Sequence, residues 1–184
     1  QEKDKDAYTS LTMANELMPE SDQAKVDLGR QALSMLLKSR QRVDAYYKSA
    51  DKMADQLLAK NPQSFEGLRI KAYLAMTGDE PTEAIAQFRK VLAVKPNDPE
   101  LTTVLIQNLL IAKQDAEAEK LARESIPAMK TFGPLYDSLY SIYAKSGRVQ
   151  DAQGILEQKI ANNPKDSFAV IQLADHYQAT KQGA

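Results

Sequence analysis

The side chains that catalysis uses most often are few and scattered in this sequence. Cysteine is absent and His176 is the single histidine, so neither a thiol nucleophile nor a zinc cluster of the usual kind can form. Asp115 and Glu117 are two acids close together in the sequence, but acids on helices are usually solvated charges. We expect His176 to be a surface histidine. We therefore predict no catalytic residue, no metal site, no cofactor and no enzyme activity.

Two further clusters could bind a ligand. The side chains of Tyr136, Tyr140 and Tyr143 could form a stacking platform for bases or sugars, but their helical spacing indicates core packing first. Lys38, Arg40 and Arg42 form a basic cluster, which we interpret as surface charge. Across the chain 24 basic and 25 acidic residues are interspersed, giving a net charge of -1. No field of one sign exists to attract a polyphosphate, so we expect no nucleic-acid partner.

Length and composition indicate a folded protein. The chain has 184 residues, of which 43% are hydrophobic and 27% are charged, and this suffices for a sizeable core. No apolar run approaches the roughly 20 residues that a bilayer crossing needs, so we expect no direct membrane insertion. The first residues, Gln1 to Asp6, do not resemble a signal peptide. The compartment stays open between cytoplasm and bacterial periplasm or envelope.

An internal repeat sets the organisation of the chain. Pro62 and Pro96 lie 34 residues apart, and Pro164 lies at twice that distance beyond Pro96. Two further columns, one of alanine and one of branched apolar residues, share the same period: Ala50, Ala84, Ala118 and Ala152; Leu58, Leu92, Ile126 and Ile160. Three columns with one period indicate a repeat architecture.

The repeating unit is predicted to be a helix, a tight turn, a second helix and a breaker. Apolar residues between the punctuating residues fall at spacings of three and four, which is the stripe of an amphipathic helix. Gly147 can take the left-handed conformation that ends a helix, and Pro164 disfavours helix in the residue before it. The alanine column is explained if two helices cross closely at that position.

On these residues the chain resembles a bacterial-type tetratricopeptide repeat (TPR) array. The repeat that matches the family's positions best contains Tyr136, Leu139, Tyr140, Tyr143, Gly147, Ala152, Leu156 and Pro164. Lys71 departs from the pattern because leucine is usual at its position. The resemblance implies an all-α fold, a right-handed superhelical stack of antiparallel helix pairs.

The repeats divide the chain into successive segments. We expect an N-terminal helix or cap at 1–20, a divergent helix pair at 21–64, TPR units at 65–98, 99–132 and 133–166, and a first helix at 167–184. Ser21 can cap a helix that continues to about Ser39, with a turn near 40–43, although one long helix over 21–60 stays possible. The last segment is either half of a truncated repeat or a finished cap. An open half-repeat would allow self-association through its apolar face.

The family resemblance implies that the first helix of each pair lines a concave groove for a protein or peptide partner. Nine residues of these helices are the predicted groove candidates: Arg69, Tyr73, Met76, Thr103, Gln107, Leu110, Asp137, Ser141 and Lys145. The alternative is that these are merely solvated helix faces. Two functions therefore remain open: a non-catalytic interaction scaffold, or the partner-recruiting TPR domain of a larger enzyme whose catalytic part lies outside this chain.

Overall fold

The computed structural model describes residues 2–39, 43–78 and 81–180, and the described residues form α-helices and no strand. The helices are α1 Glu2–Leu17, α2 Asp22–Lys38, α3 Asp44–Lys60, α4 Phe65–Met76, α5 Pro81–Val94, α6 Pro99–Ile111, α7 Asp115–Ser125, α8 Gly133–Lys145, α9 Val149–Asn162 and α10 Ser167–Thr180. Residues 40–42, and with them most of the predicted turn and two members of the basic cluster, lie outside the described part. No described helix combines the length and the apolar character that a membrane crossing requires.

The helices fall into two compact units, one ending at Pro96 and the other beginning at Asn97. In the first unit α2 packs on α3 and α4 on α5, while α3 and α2 both contact α4 and α1 rests on α2. In the second unit α6 packs on α7 and α8 on α9, with further contacts between α7 and α8, between α6 and α8 and between α9 and α10. Consecutive helices thus form antiparallel pairs, as the repeat predicted.

Helix boundaries follow local chemistry. The hydroxyl of Ser21 accepts a hydrogen bond from the backbone N–H of Ala24 at 3.2 Å and begins α2, and Ser64 and Asp98 cap α4 and α6 in the same way. Such caps satisfy backbone donors that the first helical turn leaves open. The structure therefore has two helices between residues 21 and 60, the first ending at Lys38 and the second beginning at Asp44. Gly147 follows α8 with a φ of 70°, as predicted.

Close helix crossings explain the small residues. Ala50, Ala84, Ala118 and Ala152 are each 0% exposed, so the alanine column is buried, as close helix crossings at these positions require. Gly67 likewise allows α4 to lie close to α3, because a Cβ at this position would be 2.9 Å from Leu58 Cγ. Any larger side chain at these positions would push the helices apart.

Lys71 departs from the repeat pattern but has its own partners. Its Nζ donates hydrogen bonds to Asp51 and forms ion pairs at 2.6 Å with both Asp51 and Asp55 of α3. Burial alone would lower the pKa of Lys71, but the hydrogen bonds to the two carboxylates outweigh it and raise the pKa above its ordinary value. A charged residue replaces the usual leucine because the preceding helix supplies two acids.

His176 was predicted to be a surface residue, and that prediction is wrong. The side chain is 3% exposed, and its ring meets Tyr140 of α8 edge-on with centroids 5.7 Å apart. Its Nε2 has no hydrogen-bond partner. The large apolar side chains that α10 exposes are instead Phe168, Val170 and Ile171, which are 60%, 53% and 54% exposed.

Candidate functional site

A hollow of about 550 Å³ lies between α2 and α4 in the first unit. Its lining comes from both helices: Arg30, Leu33, Ser34, Leu37, Lys38, Arg69 and Tyr73. Two of the predicted groove candidates, Arg69 and Tyr73, therefore lie together here. The other five lining residues belong to α2, the first helix of the divergent pair, and none of them is among the predicted groove candidates.

A shared carboxylate organises the two arginines of this hollow. Glu66 accepts from Arg30 Nε at 2.9 Å and from Arg69 Nε at 3.1 Å, and the terminal nitrogens of both guanidinium groups also pair with it. Burial alone would raise the pKa of Glu66, but the hydrogen bond from Arg30 and the nearby Arg69 charge outweigh it, so the pKa lies below its ordinary value. Two guanidinium groups are thus held in place by one ionised carboxylate.

The apolar part of the hollow joins the core of the first unit. Tyr73 is half-buried, and its ring meets Phe88 of α5 edge-on at a centroid distance of 5.3 Å. Leu33 is buried, whereas Leu37 is 47% exposed and offers an open apolar surface. Tyr73, a predicted groove candidate, therefore also packs on the core, and truncating it would disturb that packing. Met76, one turn further along α4, is 39% exposed.

The α6 candidates lie in the second unit and differ in exposure. Gln107 is exposed, while Thr103 and Leu110 are half-buried. The Thr103 hydroxyl donates to the backbone carbonyl of Pro99 at 2.9 Å, one turn earlier in the helix. Gln107 is accordingly the α6 candidate whose polar group projects furthest into solvent.

One of the α8 candidates, Asp137, contacts a buried lysine that was not predicted from the sequence. Lys159 of α9 is 2% exposed, and its Nζ donates to Asp137 Oδ1 at 2.7 Å and to Gln172 Oε1 at 2.6 Å. Asp137 therefore has an internal partner, whereas Ser141 is half-buried and Lys145 is exposed. The network joins α8, α9 and α10, and its members are 13 to 35 residues apart in sequence. No local spacing could have indicated it.

Two other hollows lie against the second helices of the pairs. One, of about 570 Å³, includes Leu58, Lys71 and Glu83, and another, of about 310 Å³, includes the repeat-equivalent residues Ile126, Leu139 and Asp151. Both hollows have acids and bases in their linings. The hollow between α2 and α4 differs, because the charged side chains that line it among the described residues are cations, namely Arg30, Lys38 and Arg69.

The described residues bring together no metal-binding group, since no three His, Asp or Glu side chains converge. The acids at 115 and 117 both fall in the first turn of α7, where negative charge is favourable at a helix start. Tyr136 and Tyr143 are buried, and Tyr136 Oη donates to the backbone carbonyl of Lys130 at 2.7 Å. The tyrosines at 136 and 143 are therefore core residues, as their helical spacing predicted.

These features define a class of protein, an all-α array of antiparallel helix pairs. No family model matches the chain, and a sequence search of curated proteins also finds no match. Solved structures do match. A tetratricopeptide repeat protein from Parabacteroides merdae has a TM-score of 0.67 and 16% identity, with coverage of 98% of this chain and 72% of that chain.

Two further solved structures agree with this comparison. The pilF protein of Pseudomonas aeruginosa has a TM-score of 0.66 at 17% identity, with coverage of 89% of this chain and 71% of that chain. A thermophilic TPR protein of Thermus thermophilus has a TM-score of 0.60 at 15% identity, with coverage of 93% of this chain and 89% of that chain. At these identities the likeness concerns the fold. The chain has the TPR fold, as the sequence resemblance predicted.

Proposed function

We propose that this chain is a non-catalytic protein-interaction scaffold that binds a peptide or protein partner through the first helices of its pairs. The observation that carries the proposal is the hollow between α2 and α4, where Arg69 and Tyr73 lie beside the exposed Leu37. Interaction sites in proteins combine apolar anchors with a charged rim in this way. The groove candidates on α6 and α8 belong to the same proposal.

The groove candidates whose side chains are exposed are the most informative positions for a test. Met76 is 39% exposed, and Gln107 and Lys145 are exposed. These side chains can be replaced without opening the core, because surface substitutions away from special features usually change stability by about 0.5 kcal/mol or less. Tyr73 is unsuitable for this purpose because it packs on Phe88.

Site-specific photo-crosslinking in a lysate of the source organism tests the proposal. A benzophenone amino acid is placed at Met76 or Gln107, and at the exposed Lys52 of α3 as the matched control. The expected result is that the first two positions crosslink to one shared partner and that Lys52 does not. Crosslinks that form equally well from Lys52, or from none of the three positions, would contradict binding at the first helices.

The exposed face of α10 supports a second contact. Phe168, Val170 and Ile171 are large apolar side chains in one stretch of α10 that are all more than half exposed, and exposed apolar surface commonly marks an interface. As part of the same proposal, a second copy of the chain covers this face. Sedimentation velocity across a range of concentrations tests it, since the wild-type chain should associate and an Ile171→Ser variant should stay monomeric.

A further inference from the structure

We infer that the end of α1 in one copy of the chain packs antiparallel against the start of α10 in another copy. This inference rests on the proposed function, in which a second copy covers the exposed residues of α10, and it names the surface that this copy supplies. Seven large hydrophobic side chains are more than half exposed in the described part of the chain. Six of them lie in these two segments: Met13, Leu17, Met18, Phe168, Val170 and Ile171.

The exposed apolar side chains of α10 are neighbours on the helix surface. Phe168 and Ile171 are three residues apart, and the exposed Ala174 follows Ile171 by three residues and Val170 by four. Side chains at these spacings lie next to one another on a helix. The opposite side of α10 holds its two buried residues and packs on α9. The start of α10 therefore offers one apolar patch that faces away from its own unit.

The exposed side chains of α1 form a second, shorter patch. Met13 and Leu17 are one turn apart and are 58% and 83% exposed, and Met18 directly follows the helix. Tyr8 lies on the other side of α1, where its ring meets Tyr46 of α3 edge-on at a centroid distance of 5.1 Å. Because methionine side chains adapt to irregular apolar surfaces, this patch suits the branched and aromatic side chains of α10.

The positions of the two patches along their helices favour an antiparallel contact. One patch is in the last turns of α1, and the other is in the first two turns of α10. Antiparallel helices that lie side by side bring these ends together, whereas parallel helices would keep the patches roughly 15 Å apart. The antiparallel arrangement also places the negative C-terminal end of α1 beside the positive N-terminal end of α10.

Charged residues beside the patches favour the same arrangement. Glu16 and Glu20 are exposed at the end of α1, and Lys165 is exposed directly before α10. Asp166, next to Lys165, is turned onto its own helix, because its Oδ1 accepts from two backbone N–H groups of the first turn at 3.0 and 3.3 Å. The antiparallel contact therefore brings two acids of one copy towards one base and the positive helix end of the other.

The other charges of these helices do not oppose the contact. Asp22, which follows α1, already pairs with Lys60 at 2.9 Å. The middle of α1, residues 7–15, carries no charge, so Asp175 of α10 meets no like charge there. The exposed charged residues in the first turns of α1 are two acids and two bases, whose charges balance: Glu2, Lys3, Lys5 and Asp6.

Complementation between two variants tests this contact. Ile171→Glu places a charge in the α10 patch and leaves α1 intact, whereas Leu17→Glu blocks the α1 patch and leaves α10 intact. In sedimentation velocity each variant alone should stay monomeric, because its one intact patch finds no intact counterpart. An equimolar mixture should form a dimer and associate about tenfold or more tightly than either variant alone. A contact of this size is weak, so concentrations of about 100 μM are suitable.

Substitutions of two exposed lysines are the matched controls. Lys52 of α3 and Lys120 of α7 lie outside both patches. Lys52→Glu and Lys120→Glu should associate as the wild type does, which shows that an added acid does not by itself prevent association. Circular dichroism of every variant verifies that the helices are retained.

Disulfide crosslinking tests the orientation of the contact. The chain has no cysteine, so a disulfide can form only between introduced residues. The variants Leu17→Cys and Val170→Cys, mixed and oxidised, should form a crosslinked dimer that contains one copy of each. Lys3→Cys is the control, because Lys3 lies about 21 Å from Leu17 along α1, and it should crosslink to Val170→Cys about fivefold less. Equal crosslinking from both positions of α1 would contradict the antiparallel contact.

The outcomes separate this inference from the proposed function. If Leu17→Glu dimerises alone and the mixture gains nothing, α10 pairs with α10, which would overturn the role of α1 while leaving a second copy over α10. A wild-type chain that stays monomeric at about 100 μM would overturn both the α1 contact and the second copy. Neither result bears on partner binding by the first helices, which the crosslinks from Met76 and Gln107 test separately.

Discussion

Lys159 Nζ lies 2.7 Å from Asp137 Oδ1 although the lysine side chain is only 2% exposed. A buried ammonium group needs compensation because removing it from water is costly. Gln172 of α10 supplies a second acceptor at 2.6 Å, and the ring of Phe168 lies 5.7 Å from Nζ. One side chain of α9 therefore fixes both α8 and α10.

Removal of the Asp137 carboxylate should destabilise the chain strongly. Asp137→Ala leaves Lys159 with Gln172 as its remaining acceptor. Because Asp137 is itself 39% exposed, water can replace part of the lost contact, and we expect a cost of about 2 kcal/mol rather than the full cost of breaking a buried pair. Urea unfolding followed by circular dichroism measures the change in the free energy of unfolding. Asp175→Ala, at an exposed position of α10, is the control and should change it by less than about 0.5 kcal/mol.

A second change should restore most of this loss. Lys159→Met replaces the buried ammonium with an apolar side chain of similar length, so the Asp137→Ala/Lys159→Met double variant has no unpaired buried charge. Replacement of a buried pair by apolar residues is often neutral or stabilising. A double variant that is no more stable than Asp137→Ala alone would show that the unpaired Lys159 charge does not cause the loss of stability.

Glu66 should give the first unit a pH-dependent contribution to stability. Its pKa in the folded chain is lowered from 4.5, so its stabilisation is fully present above pH 4.5 and is lost as the pH falls through the folded pKa. Glu66→Gln should cost about 1–2 kcal/mol at pH 7, since two partly exposed arginine contacts are weakened.

Urea unfolding at a series of pH values tests the Glu66 contribution. The difference between wild type and Glu66→Gln should be largest at neutral pH and should close on acidification below pH 4.5. Glu124→Gln is the control because Glu124 is exposed and lies 4.0 Å from Lys120. A difference that stays constant from neutral to acidic pH would contradict the assignment to the Glu66 charge.

The alanine column permits a matched pair of substitutions on one helix. Ala118 is 0% exposed, whereas Ala116, two residues earlier on α7, is exposed. Ala118→Arg forces a long charged side chain into a closed helix crossing and should cost about 3 kcal/mol or more. Ala116→Arg should be almost neutral in the same thermal-unfolding measurement. Equal melting temperatures for the two variants would show that the assigned register of the repeat is wrong.

Gly147 and Gly154 should respond in opposite directions to the same substitution. A Cβ at either position would meet no atom within 4 Å, but Gly147 has a φ of 70°. Gly147→Ala should therefore cost about 1–2 kcal/mol through backbone strain. Gly154 lies within α9, and Gly154→Ala should stabilise the chain by about 0.5–1 kcal/mol. Thermal unfolding of both variants distinguishes backbone strain from packing.

The sequence predicted those features that depend on local or periodic chemistry. The alanine column and the left-handed Gly147 follow from spacing and backbone preference alone. Burial of His176 and Lys159 could not be predicted, because the partners that enclose them come from other helices. The α2–α4 hollow was missed for a similar reason: α2 belongs to the pair that departs most from the repeat pattern, so its residues could not be placed by analogy.

Hydrogen exchange should distinguish the terminal helices from the interior ones. In α8 five residues are buried, whereas α10 has two buried residues, Ala169 and His176, and α1 has none. Local opening requires little free energy where few apolar contacts are broken. We therefore expect the amides of α10 to exchange faster than those of α8, and the amides of α1 to exchange at least as fast as those of α10.

The concentration dependence of exchange then tests whether a second copy covers α10. In a dilute sample, amides of α10 should exchange faster than those of α8 around Leu139, which is 0% exposed. Because association buries the face that contains Val170 and Ile171, protection of α10 should increase with protein concentration in the wild type. Ile171→Ser should remove this increase and leave the protection of α8 unchanged. If α10 in the dilute monomer is as protected as α8, the helix is stabilised by its own packing, and neither fraying nor a second copy is needed to explain it.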